Sequence, residues 1–283
     1  MKRLLNIFIS FSLAIFIISS SVILGLKCKS LYYYDVKNLN ISSMSGFSEN
    51  EIKLNYDYLI DYNLNKNVGE FNLPTIKYSE EGKIHFEEVR NIFQMIKKVF
   101  YISGAISILG IIISIKNKNI KILNTTSIMT ILLPIIVSIP LIINFNYFFI
   151  KFHELVFSND YWIFDPEIDP VINILPQNVF FHIGMLILII ILGTSILLQV
   201  IYRLLNKKLK EIKNDTKIFK FIGIIFIYRN LYRLLIVFFS YINNIFKFPN
   251  NTIVVISSVR KSAICTILYA FFSISKIATT FIF

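Results

Sequence analysis

The sequence predicts an all-α integral membrane protein: a four-helix transmembrane bundle with two extracytoplasmic loops and an additional C-terminal hydrophobic or amphipathic extension. Three observations carry that expectation. Of 283 residues, 55% are apolar and 16% charged, against about 25% charged in a soluble domain, and mean hydropathy is +0.65. Four stretches reach or approach the roughly 20 apolar residues that a bilayer core of about 30 Å requires. The charges also segregate by segment. Disorder is excluded, because it needs low hydrophobicity. A net charge of +12 raises nucleic acid as a partner, but on so apolar a chain it marks cytoplasmic membrane loops instead. Cys28 and Cys265 alone leave no disulfide framework or cysteine-rich metal site.

The first span runs from Leu4 to Leu26 behind Met1-Lys2-Arg3. A cleaved signal peptide is its rival, but no small-x-small site follows and the apolar stretch exceeds a signal core, so it reads as a retained helix. Lys27 beside Cys28 is unlike a lipobox. The second span is short, residues 99–115. The third covers residues 127–150, with Pro134 and Pro140 inside it, where prolines tend to kink a helix. The fourth covers residues 179–201.

Charge sets the expected orientation. Lys2 and Arg3 flank span one; Lys116, Lys118 and Lys121 separate spans two and three; Arg203, Lys207, Lys208 and Lys210 follow span four. The positive-inside rule places these in the cytoplasm. Of 17 acids, ten lie between Lys27 and Lys98 and five between Lys151 and Gln177. Loops 27–98 and 151–178 therefore face outward, and residues 1–210 form the membrane domain. In the extension, residues 211–283, Arg229 and Arg233 lie four apart inside a Phe- and Ile-rich stretch. At a helix centre each would cost about 2.5–3.5 kcal/mol, so an amphipathic helix on the membrane surface fits better. Residues 262–283 can span or lie flat.

Loop 27–98 places Tyr56, Leu59, Ile60 and Tyr62 at helical spacing. Phe71-Asn72-Leu73-Pro74 reads as extended, since the residue before proline avoids helix, and Ser79-Glu80-Glu81-Gly82 as a turn. A helix from Ile84 leads into span two, with His85 and Glu88 on one face. The Tyr32-Tyr33-Tyr34 cluster reads as an interfacial belt. Loop 151–178 holds His153, the only tryptophan, Trp162, and the turn formers Asn159-Asp160 and Asp165-Pro166. His182 has no motif around it and reads as structural.

Imidazole can take or give a proton near neutral pH, its ordinary pKa being about 6.5. His85 precedes span two and His153 follows span three, so both are expected at the outer interface. The spans carry almost no ionisable residue before Lys210, which argues against a pump or proton-coupled transporter. No Gly-x-Ser-x-Gly nucleophile elbow and no His-Glu-x-x-His zinc motif occurs.

Taken together, Asn55-Tyr56, Leu73-Pro74, Ser79, Gly82, His85-Phe86 and Glu88-Val89, then Phe152-His153, Phe157, Asn159, Trp162, Asp165-Pro166, Asp169, Ile172 and Pro176, resemble the lipoprotein intramolecular transacylases. These are four-span bacterial membrane enzymes. The resemblance covers about residues 1–210. It departs at Glu88, where the family usually has aspartate, and it does not reach residues 211–283. It implies a multi-pass protein of the cytoplasmic membrane, N-terminus inside. The implied partners are diacylated bacterial lipoproteins in the outer leaflet, with no cofactor. The implied activity moves the sn-2 acyl chain of a diacylglyceryl lipoprotein to its N-terminal cysteine amine, giving the lyso form.

On this reading His85 and His153 converge, one as general base and the other as acid or oxyanion donor, and the sequence does not say which. Glu88 is a third catalytic candidate, able to fix the His85 tautomer. Trp162, Asn159, Asp165, Asp169 and Tyr56 are the candidate substrate-binding residues. Trp162 serves as interfacial anchor or groove wall, and the two aspartates attract the amine or shape the loop. Two alternatives stand: a non-catalytic scaffold or sensor with partner-binding loops, and a metal-dependent membrane hydrolase. Enzyme and scaffold differ spatially, because only the enzyme needs the two imidazoles together.

Overall fold

In a computed structural model the chain divides into two units, Met1–Gly223 and Ile224–Phe283. The structure describes residues 2–214, all-helical with no strand among them; the expectations for Arg229, Arg233 and residues 262–283 lie outside the described residues. The elements in order are α1 (Lys2–Lys27), α2 (Lys29–Asn38), α3 (Ile41–Ser45), α4 (Glu49–Leu64), α5 (Glu80–Lys116), α6 (Lys121–Ile143), α7 (Phe145–Val156), α8 (Val171–Ile174) and α9 (Gln177–Asn214). Among the described residues, three helices are long and apolar enough to cross a bilayer, within Arg3–Lys27, Glu80–Lys116 and Gln177–Lys210. The chain is membrane-integral in character, with α6 as a further apolar helix packed on α1 and α9.

The bundle is organised around α1, which packs on α5, α6 and α9. Lipid tails are as apolar as leucine, so helices in a bilayer associate through close backbone approach and hydrogen bonds rather than hydrophobic exclusion. The sequence supplies both. On α5, Ser103, Ser107, Gly110 and Ser114 are buried at helical spacing. Gly110 lets Ile9 approach so closely that an added Cβ would lie 2.3 Å from its Cγ2. Ser12 Oγ donates to the Ser103 carbonyl at 3.1 Å. Ser195 Oγ donates to the Ser127 carbonyl at 2.8 Å, tying α9 to α6. Asn119 Nδ2 donates to Asn6 Oδ1 at 2.8 Å, which brings the start of α1 beside the α5–α6 link. The basic segments therefore gather at one end of the bundle.

The opposite end carries a folded cap with its own core, not two loose loops. Tyr32, Ile41, Ile52, Tyr56, Phe71, Val171 and Ile174 belong to one buried cluster drawn from both loops. Tyr32 stacks on Tyr56 with ring centroids 3.5 Å apart, and its hydroxyl donates to the Ile174 carbonyl at 2.7 Å. The expected belt is thus realised differently: Tyr32 is fully buried and only Tyr34 is exposed. A run of tyrosines does not distinguish a membrane interface from a protein core. The helix expected around Tyr56 is α4, started by a capping box in which Ser48 and Glu51 satisfy each other's backbone N–H groups.

Two local expectations are corrected. The third apolar stretch is two helices, not one over residues 127–150. The break falls at Asn144 rather than at a proline, because the Asn144 side chain accepts from the Tyr147 N–H at 3.0 Å and starts α7. Residues 79–82 are not a free turn but the start of α5, with Ser79 as N-cap. Gly110→Val is expected to lower stability by about 1–3 kcal/mol through collision with Ile9. Gly184→Ala, at a position open to 4 Å, is expected to leave stability unchanged or slightly raised. Thermal unfolding in detergent checks both.

Candidate active site

The site begins with the N-terminus of α5. Ser79 Oγ accepts from the Gly82 N–H at 2.9 Å, a standard serine cap. Asp169, far along the chain, closes over it. Its Oδ1 accepts from the Ser79 N–H at 2.7 Å and its Oδ2 from the Ser79 hydroxyl at 2.7 Å. A carboxylate there also complements the positive end of the helix. Gly82 makes the approach possible: a Cβ at that position would sit 2.5 Å from Asp169 Oδ1 and 3.3 Å from the Phe164 ring. Asp169 is buried, with both carboxylate oxygens engaged by Ser79.

This clamp lays the second loop against the first turns of α5, where His85 projects. His85 is 6% exposed, and its ring lies 4.8 Å from Phe157 and 5.4 Å from Phe164, both edge-on. Its Nδ1 is buried and has no hydrogen-bond partner. Burial, followed by the proximity of His153, depresses its pKa to about 4, because desolvation penalises the charged imidazolium.

His153 comes from the last turns of α7, and its ring centroid is 6.2 Å from that of His85. The two imidazoles, 68 positions apart in sequence, therefore share one cluster. His153 Nδ1 lies 2.7 Å from the Phe149 carbonyl. A carbonyl oxygen only accepts, so Nδ1 carries the proton and the Nε2 lone pair of the neutral ring is left available. Burial lowers the His153 pKa, against a smaller opposing effect of the Phe149 hydrogen bond. Trp162 flanks this ring at 5.0 Å and Phe157 at 5.6 Å.

The expected Glu88–His85 hydrogen bond is not formed. Glu88 Oε1 instead accepts from Asn159 Nδ2 at 2.8 Å, and Oε2 is buried without a partner. A helix spacing of three puts two side chains on one face but does not aim their polar atoms, and Asn159 on the second loop outcompetes His85. Asn159 Oδ1 in turn accepts from the Tyr161 N–H at 3.2 Å. Asp165 is exposed and folds its own turn, accepting from the Glu167 N–H at 2.9 Å. Tyr56 departs from its expected role: at 3% exposure and stacked on Tyr32, it is a core residue with no open face for a substrate.

Sequence reasoning did not single out Phe149, Phe157 or Phe164 as the environment of the imidazoles. Phe149 was legible in principle, lying four residues before His153 on one helix. His182 stands outside this cluster, its Nδ1 2.9 Å from Oδ1 of the fully buried Asp35. Among the described residues, no group of three or more His, Cys, Asp or Glu is arranged to hold a metal ion. Asp169→Ala is expected to cost about 1 kcal/mol, the loss of two hydrogen bonds to the half-buried Ser79. It should also make residues 164–169 more sensitive to limited proteolysis, which is the readout that separates loss of the clamp from general weakening.

Comparison with known proteins gives one answer. The family model for "Lipoprotein intramolecular transacylase Lit" matches residues 7–181. A solved structure of the membrane integral lipoprotein intramolecular transacylase Lit from Bacillus cereus is 43% identical, with a TM-score of 0.72. It covers 75% of this chain and 98% of its own. The same Bacillus cereus protein with an H85R mutation is 42% identical, with a TM-score of 0.69, covering 75% and 94%. No curated protein matches the chain. With 62% of its length inside the family model and an all-helical fold shared with a membrane-integral relative, this chain belongs to the lipoprotein intramolecular transacylase family, a family of membrane enzymes.

Proposed function

We propose that this transacylase moves the sn-2 acyl chain of a diacylglyceryl-modified lipoprotein to the α-amino group of its N-terminal cysteine, leaving the lyso form. The observation that carries the reading is the pairing of His85 and His153 at 6.2 Å within aromatic walls. A scaffold that only bound partners through its loops would have no use for two desolvated imidazoles facing each other.

Aminolysis of an ester needs a base for the amine, a donor for the tetrahedral oxyanion and a proton for the departing glycerol oxygen. With Nδ1 engaged by the Phe149 carbonyl, His153 Nε2 takes the amine proton as nitrogen attacks the ester carbon. The imidazolium then returns that proton to the glycerol oxygen as the C–O bond breaks, so the proton count closes within one residue. His85, held neutral by burial, donates its single N–H to the oxyanion without needing to ionise. The unpartnered Glu88 oxygen is an acceptor suited to the incoming amine, and exposed Asp165 adds negative charge that draws in its protonated form. Trp162, Phe157 and Phe164 supply apolar surface for the acyl chain.

The same reading places four spans in the cytoplasmic membrane, at α1, the apolar part of α5, α6 and α9. The basic end faces the cytoplasm by the positive-inside rule, and the cap faces the outer leaflet, where diacylated lipoproteins reside.

Expression in a host that makes diacylated lipoproteins, with mass spectrometry of their N-terminal peptides, tests the activity. N-acylated lyso peptides are the expected product, and unchanged diacylated peptides would refute it. Both folded-state histidine pKa values are lowered from 6.5, so the neutral rings persist into mild acid. The acid limb of the pH–rate profile is therefore expected below pH 6.5. Linkage has the same sign. Stability is complete above the unfolded-state pKa of about 6.5 and is lost as pH falls toward about 4.

A further inference from the structure

Away from the histidines, a cavity of about 650 Å³ opens where α5 leaves its apolar segment on the cap side, lined by Lys66, Lys97, Lys98, Tyr101, Gln94 and Asn67 among others. No acidic residue lines it. Its wall is the connection that follows α4, and α5 builds that wall with three side chains about one turn apart. Gln94 Nε2 donates to the Asn63 carbonyl at 2.8 Å, and Lys97 Nζ to the Leu64 carbonyl, which satisfies the last turn of α4. Arg90 stacks over the Tyr62 ring at 4.3 Å. Its guanidinium donates to the carbonyls of Asn65, Lys66, Val68 and Gly69 at 2.8–3.3 Å.

That arrangement has two consequences. Every peptide here is trans, so N–H points opposite to C=O. With those carbonyls turned onto Arg90, the N–H groups of Lys66, Asn67, Gly69 and Glu70 point away from it. The lysines are also only partly used. Lys97 caps α4, whereas Lys66 and Lys98 form no ion pair among the described residues. Burial and the neighbouring charge of Lys66 both lower the Lys97 pKa, so the cluster carries repulsion that an anion would relieve. Structural capping accounts for Arg90, Gln94 and Lys97 but leaves Lys66 and Lys98 unexplained.

We propose that this pocket binds a phosphate-bearing anion, supplied by the headgroup of an anionic phospholipid in the leaflet on the cap side. Lys66 and Lys98, beside the capping Lys97, supply positive charge for the single negative charge of a phosphodiester. Tyr101 and the adjoining apolar segment of α5 favour a ligand with acyl chains over one dissolved in water. Lysines held near an anionic lipid surface are each attracted to it.

The full-length protein in detergent micelles doped with equal phosphatidylglycerol and phosphatidylcholine tests it, with retained lipid read by native mass spectrometry. Phosphatidylglycerol is expected to be retained over phosphatidylcholine by about fivefold or more, which corresponds to about 1 kcal/mol. The doubly substituted Lys66→Gln, Lys98→Gln protein is expected to lose that preference with its unfolding temperature unchanged, since both side chains are exposed. Equal retention of the two lipids, or a preference unaltered by the substitutions, overturns the proposal. A third arm adds millimolar inorganic phosphate. If it displaces the lipid and stays bound itself, the phosphate comes from solvent and the lipid assignment fails. If the lipid stays, the headgroup is confirmed as the source.

Discussion

The contact between Asp169 and Ser79 is the constraint on which the site depends. It joins positions 90 apart in sequence through two hydrogen bonds of 2.7 Å, one to a backbone N–H and one to a hydroxyl. A helix N-terminus always leaves N–H groups without intrahelical partners. Here the serine cap answers one of them and the carboxylate anchors the cap itself. Because Gly82 has no side chain, the segment carrying Phe164 and Asp169 can lie directly on the first turn of α5. Everything the site contains follows from that closure. The second loop brings Phe157, Asn159, Trp162 and Phe164 against a helix whose next turn presents His85 and Glu88. A longer side chain at position 82 would push the two loops apart and open the buried His85 to water.

Burial then determines the chemistry. Among the described residues only Asn63 Oδ1, His85 Nδ1 and Glu88 Oε2 are buried side-chain atoms lacking a partner. Two of the three sit at this site. An orphaned buried polar atom costs about 1–3 kcal/mol, and such costs are tolerated where the group has work to do. The apolar walls that impose the cost also favour neutral imidazoles, which is the state the proposed proton-accepting base and uncharged hydrogen-bond donor require. The bundle makes a different use of polarity. There, serine hydroxyls and glycines draw helices together, and no charge is buried between α1 and α5 at their Ser12–Ser103 contact.

Much of this was readable in the sequence because membrane proteins obey coarse rules strictly. Apolar length placed α1, α5 and α9, and the separation of Lys and Arg from Asp and Glu anticipated which helix ends lie together. The two histidines flank spans two and three on one side, so topology placed both at one interface, and the family resemblance added the expectation that they converge. What could not be read was the aim of side chains. Spacing put Glu88 on the His85 face, yet its carboxylate turned to Asn159, a partner 71 positions away. Tyr32 looked interfacial because an aromatic at the water boundary and one in a small core have the same composition, and Tyr56 was expected at the substrate because nothing in the sequence shows that Tyr32 stacks on it. The break at Asn144 was hidden by Pro134 and Pro140, which are stronger helix-breaking signals but were absorbed within α6. Ser79 looked like part of a turn because its real partner, Asp169, lies in the other loop.

In the proposed mechanism both imidazoles act on the same acyl group. The most direct measurement compares His85→Ala and His153→Ala, each alone and combined, in membranes containing a defined diacylated lipoprotein, with the rate of acyl transfer followed by mass spectrometry. If the pair works as a unit, each single change should remove nearly all transfer, by about 10²–10⁴-fold, and the double change should cost little more. Near-normal transfer in either folded single variant, or losses that multiply as if the two rings were independent, would contradict it.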